Sequence, residues 1–144
     1  MCKAQQTLLA LIKLGQHLTR KLEGQLSVHG ISVSELQVMW QLQQAPQHAL
    51  RRIDLAAQVG LSASGVTRLL LPMEKLHLVS RQANPRDARV SMVKLTDTGL
   101  ERFNDAMVTF ASTARQLLGP LDEQQLDMLL AGTRQLQGEP IHHA

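Results

Sequence analysis

Leucine and isoleucine recur at three- and four-residue intervals over residues 5–29, at Leu8, Leu11, Ile12, Leu18, Leu22 and Leu26, which predicts a long amphipathic helix. Gly30 ends it. Ser32 with Glu35 three residues on has capping-box spacing and opens a second helix over 33–44, with Leu36, Met39, Trp40 and Leu42 on its apolar face and Ala45-Pro46 closing it. A third helix is predicted over 50–59 and a fourth over 62–77. Inside the fourth, Pro72 lacks an N–H and predicts a kink or an early end. Around Asn84-Pro85 the pattern changes from helical to alternating. Val79 and Arg81 precede the turn, and Val90, Met92 or Val93, and Leu95 follow it, as in a two-stranded hairpin. Thr96 can cap a fifth helix over 97–118. Its Phe103, Met107, Phe110, Ala114 and Leu117 step by four and three, the seam of helices packed at a shallow angle. Gly119-Pro120 breaks it, and Asp122 with Gln125 opens a last helix through Leu126, Leu129, Leu130, Thr133 and Leu136.

Residues 53–99 carry the most specific signal in this order, a helix-turn-helix followed by a charged hairpin and a helix start. Ala56 is small where two helices must cross, and Gly60 can take the positive backbone angle that ends a helix. Val66 falls on the inner face of the second helix of the pair, while Ser62, Ser64, Thr67 and Arg68 can point outward. Short hydroxyls and one Arg at a helix start suit base edges and phosphates. Ser62 serves equally well as a plain N-cap, and Arg68 can read guanine O6 and N7 or neutralise a phosphate. Arg51 and Arg52, near the start of the third helix, face either backbone phosphate or solvent. The hairpin tip holds Arg86, Asp87 and Arg89, too many charges for a buried turn.

The helix-turn-helix followed by Asp87-x-Arg89 and Val93-x-Leu95-Thr96-x-x-Gly99 resembles the multiple antibiotic resistance regulator (MarR) family of transcription factors, and the flanking helices extend the resemblance over nearly the whole chain. The resemblance implies a mainly α fold: a winged helix-turn-helix lobe at about 33–99 with a two-stranded β wing, and dimerisation helices at about 1–30 and 100–138, all one domain over residues 1–144. It implies a homodimer on a palindromic duplex, its recognition helices about one helical turn apart. It also implies that Arg89 enters the minor groove and that Asp87, which phosphate repels, holds an Arg side chain in position. Regulation is expected from a small-molecule effector in a pocket between the dimerisation helices and the reading lobe, with His17, Met39 and Trp40 as candidate walls. His77 departs from the family pattern, in which Gly commonly precedes the apolar pair that opens the wing. At a left-handed helix end it adds strain of about 1 kcal/mol.

Composition narrows the function. Hydrophobic residues make up 44% of the 144, with no apolar run long enough to span a bilayer and no signal peptide, so a cytoplasmic protein is expected. The single Cys2 agrees with a reducing compartment and lacks the buried, basic setting of a thiol sensor. The net charge of +3 is unevenly divided: residues 51–95 hold eight Lys or Arg against three acids, +5, leaving −2 elsewhere. Such a local excess suits a polyanion. Aromatic content of 2%, with no Tyr, argues against single-strand readers that stack bases on aromatic platforms. The six histidines, His17, His29, His48, His77, His142 and His143, show no metal-site spacing, and neither a phosphate loop nor a nucleophile with its base is present. No cofactor and no catalysis are expected. The reading is a double-stranded DNA-binding regulator, more often a repressor. The alternative, a winged helix that docks protein partners, does not need +5 beside exposed Ser and Thr.

Overall fold

A computed structural model describes residues 1–138, and the His142-His143 pair lies outside them. The elements run α1 (Lys3–Leu26), α2 (Val33–Gln44), β1 (Ala49–Arg51), α3 (Arg52–Val59), α4 (Ala63–Lys75), β2 (Val79–Ala83), β3 (Ser91–Leu95), α5 (Asp97–Leu118) and α6 (Glu123–Leu136). They fall into two compact units, Met1–Ala111 and a second from Ser112 onward. Among the described residues no helix is long and apolar enough to cross a membrane.

Local chemistry fixes most element ends in the first unit. Ser32 accepts the Glu35 N–H while the Glu35 carboxylate accepts the Ser32 N–H, so two orphan donors at the start of α2 are satisfied reciprocally. A short 3-10 turn follows α1, and Gly30 stops it with φ 68°. Below these helices, Leu26, Val38, Met39, Leu42, Leu55, Val66, Leu70, Met73, Leu78 and Val93 have no exposed surface. Each large side chain so buried contributes about 1.5–3 kcal/mol relative to exposure. Of the kink or early end expected at Pro72, the early end does not occur: α4 runs through Pro72 and closes one turn later at Lys75.

The expected hairpin is present as β2 and β3, and a third strand joins it. The sheet has three strands in the order β1-β3-β2, both pairings antiparallel. Leu50, expected in the third helix, is extended opposite Val93, and α3 begins only at Arg52. The cause is the connection after α2: Gln47 and His48 both take positive φ and turn the chain so that Ala49–Arg51 lies along β3. In the wing, Val93 faces the core and Met92 is half-exposed, which decides between the two.

Thr96 and Gly99 anchor the wing to α5. The Thr96 hydroxyl accepts the Gly99 N–H and donates to the His77 and Leu78 carbonyls, while the Thr96 N–H bonds Leu78 O. A Cβ on Gly99 would lie 2.0 Å from that Leu78 oxygen, so only glycine fits.

In the second unit, Asp122 and Gln125 form the capping box expected at the start of α6. Beneath it, Ala114, Leu118, Leu121 and Leu126 line a small apolar cleft.

Candidate nucleic-acid interface

The turn between α3 and α4 is built as its sequence requires. Gly60 sits at φ 70°, its N–H and that of Leu61 return to the carbonyls at the end of α3, and Ser62 caps α4 by accepting the Gly65 N–H at 3.1 Å. Ser62 therefore has a structural task, and its hydroxyl also meets Ser64 Oγ at 3.2 Å. Ser64 and Arg68 lie on the exposed side of α4, four residues apart, opposite the buried Val66, Leu70 and Met73.

Two expected outward residues turn inward. The Thr67 hydroxyl is half-buried and committed twice, donating to Ala63 O at 3.0 Å and accepting from Arg52 Nη1 at 2.9 Å. Arg52, one of the arginines expected at phosphate or solvent, has a side chain only 19% exposed. Its Nη2 is buried without a hydrogen bond and stands 3.6 Å from Glu74 Oε1, an ion-pair distance. Thr67 is inward because residue 67 borders the apolar stripe of α4, and Arg52 because the carboxylate of Glu74 draws it there. Arg81, on β2, donates from Nε to the same Glu74 oxygen at 3.0 Å. The Arg52, Glu74 and Arg81 cluster joins three elements, and no local spacing announces it.

Arg51 stays at the surface but is not free, since Nε and Nη2 grip both oxygens of Asp54 at 2.7 and 2.9 Å. That hydrogen bond holds the Asp54 carboxyl below the usual carboxylate range and raises the Arg51 guanidinium.

The wing tip is a chain of short-range bonds. Asn84 Oδ1 accepts the Arg86 N–H, and Asn84 O accepts the Asp87 N–H. Asp87 accepts from Arg89 three times: from the backbone N at 3.0 Å, Nε at 3.2 Å and Nη2 at 3.4 Å. The side-chain bond from Arg89, then its backbone bond, hold the Asp87 carboxyl below the usual range against slight desolvation. Arg89 itself is 91% exposed, a tethered cation at the tip, and Arg86 beside it is exposed as well.

The expected effector walls differ in exposure. His17 is exposed on α1, Met39 has no exposed surface, and Trp40 turns outward from α2. Two clefts on the first unit are lined by other residues. One lies among Arg51, Arg52, Ile53, Ala57, Leu61 and Val90, the other among His29, Thr98, Glu101, Arg102 and Asp105. Adjacent positions 39 and 40 lie about 100° apart on a helix, and here the core takes Met39 and leaves Trp40 at its edge.

Comparison with known proteins identifies the family. The model of the MarR family matches residues 31–91. The HTH-type transcriptional regulator YhbI of Bacillus subtilis (strain 168) is 32% identical over 105 residues, which cover 72% of this chain and 67% of that protein. YdgJ, another HTH-type transcriptional regulator of the same organism, is 30% identical over 101 residues, 70% of this chain, and the match spans only 60% of its own length. Among solved structures, Sco3205 from Streptomyces coelicolor, a MarR family transcriptional regulator crystallised in complex with DNA, superposes with a TM-score of 0.86 at 23% identity, over 95% of this chain and 90% of that one. The turn at Gly60 and the wing with Asp87 and Arg89 fall within the residues that the family model matches, and the chain belongs to the MarR family.

Proposed function

We propose that this chain is a sequence-specific, double-stranded DNA-binding transcriptional repressor that acts as a homodimer in the cytoplasm, and not an enzyme. The observation that carries the reading is the exposed pair Ser64 and Arg68 on α4 together with a wing tip that presents Arg86 and a tethered Arg89. A helix start carrying Ser and Arg suits the major groove, and an extended arginine at a hairpin tip suits the minor groove. The +5 of residues 51–95 supplies the charge that duplex binding draws on. The DNA complex of Sco3205 supports a duplex as the partner.

Dimerisation is favoured by apolar side chains that the single chain leaves in water: Leu8, Leu9 and Ile12 on α1, and Met128, Leu130 and Leu136 on α6. Exposed apolar stripes of this kind mark association surfaces. A small-molecule effector would relieve repression to the extent that it binds one spacing of the two recognition helices more tightly than the other.

The test is selection of duplexes from a randomised pool, followed by fluorescence anisotropy with the recovered duplex and a scrambled one across a salt series. Sedimentation of the free protein gives its oligomeric state. Enrichment of a palindrome bound by a dimer, with affinity falling steeply as salt rises, is the expected result. No enrichment, with weak binding that is insensitive to salt, would remove the DNA reading.

A further inference from the structure

We infer that Arg52 is a positioning residue that sets the recognition helix against the wing, and that it does not contact phosphate. The inference rests on the DNA-binding function proposed above. Arg52 sits at the first turn of α3, yet its guanidinium lies along α4, bonded to Thr67 through Nη1 and paired with Glu74 through Nη2. Residues 67 and 74 are two helical turns apart on one stripe of α4, so a single side chain fixes both the inclination and the rotation of that helix. Glu74 passes the restraint on, because the oxygen nearest Arg52 also accepts from Arg81 on β2.

A planar fork meets the two partners from two separate nitrogens in a fixed geometry, which the single nitrogen of a Lys ammonium does not reproduce. Reaching a phosphate would require Arg52 to abandon both partners and leave Glu74 with Arg81 alone. The neighbouring Arg51 and the distant Arg89 are held by a single aspartate each and keep half and nearly all of their surface, 50% and 91%. Arg52 differs from them in burial and in the number of elements it joins.

The experiment measures affinity for a duplex selected by the wild-type protein and for its scrambled version, over a salt series, for wild type, Arg52→Met, Arg52→Lys and Arg86→Ala. Circular dichroism confirms folding of each at the working temperature. The expected result is that Arg52→Met loses about tenfold on the selected duplex and little on the scrambled one. Its salt slope should be unchanged, and Arg52→Lys should fail to rescue. Arg86→Ala, as a phosphate or groove contact, should lower the slope by about 0.9 and weaken both duplexes.

Arg52→Met behaving as Arg86→Ala, with rescue by Arg52→Lys, would overturn the assignment and restore a phosphate contact. Equal losses on both duplexes with an unchanged slope would overturn it in favour of a purely structural role. Should Arg52→Met not fold, Thr67→Val removes the acceptor while keeping the shape and must show the same selective loss. A wild type that selects no duplex would overturn the DNA function and this assignment together, an outcome distinct from the others.

Discussion

Gly99 approaches Leu78 so closely that a Cβ would stand 2.0 Å from the Leu78 carbonyl oxygen, with the side chain of Leu95 at 2.8 Å. Neither a carbonyl held by Thr96 nor the buried Leu95 can yield. Gly99→Ala is therefore expected to cost about 1–3 kcal/mol of stability, as overpacking does. Chemical denaturation measures it, and a loss below about 0.5 kcal/mol, the scale of an ordinary surface change, would show that the contact relaxes freely.

His77 carries the left-handed conformation that the family pattern gives to glycine, at φ 60°. The strain for a side chain there is about 1–2 kcal/mol, and the entropy lost by a glycine about 0.5–1 kcal/mol. His77→Gly should consequently raise stability by about 0.5 kcal/mol. A rise in the denaturation midpoint with an unchanged slope is the expected signature.

At the wing tip, Arg89→Ala should weaken binding to the selected duplex by at least about tenfold while leaving the unfolding transition in place, because the side chain is almost wholly in solvent. A salt-controlled anisotropy titration with unchanged affinity would exclude the wing from recognition.

The pH dependence of the same tether follows from Asp87. Its carboxyl is held below the ordinary range, chiefly by the Arg89 side chain, so its contribution is complete above the unfolded aspartate value of about 3.9 and is lost only as pH falls through the lower folded value. The tether should thus hold unchanged near neutral pH and release in strong acid. Carboxyl-carbon NMR of Asp87 would reveal the transition. A midpoint above the ordinary aspartate value would contradict the tether.

Glu74 is the counter-ion of a mostly buried arginine, and its loss should cost more than the loss of the exposed partner. Glu74→Ala is expected to lower stability by about 1–3 kcal/mol, and Arg81→Ala, whose side chain is 56% exposed, by less than about 1 kcal/mol. Thermal unfolding of the two variants side by side checks the order.

What the sequence made legible is chemistry between near neighbours. Ser32 with Glu35, Gly60 before Ser62, and Asp122 with Gln125 all appear in the structure as their spacing predicts, because a cap is satisfied within one turn of chain. β1 was not legible. Three residues are too few to show a period of two, and their partner strand lies beyond two helices and the other arm of the hairpin. Arg52 and Thr67 were placed outward for a related reason. A helical position fixes the direction of a side chain only to within a neighbour's reach, and the neighbour that redirects Arg52, Glu74, sits 22 positions away on another element. Met39 and Trp40 shared one apolar face by periodicity, and the packing of the core decided between them.

β1 also governs when this molecule can assemble. Pairing Leu50 with Val93 encloses α3, α4 and β2 within one closed segment of chain, and β3, the strand that both of its neighbours need, is made last. A nascent chain that has left the ribosome only as far as Pro85 would hold Leu55, Val66 and Leu70 with no sheet to seat them. During synthesis the reading lobe should gain its protection from hydrogen exchange and proteolysis in one step, once Ser91–Leu95 has emerged, and not helix by helix.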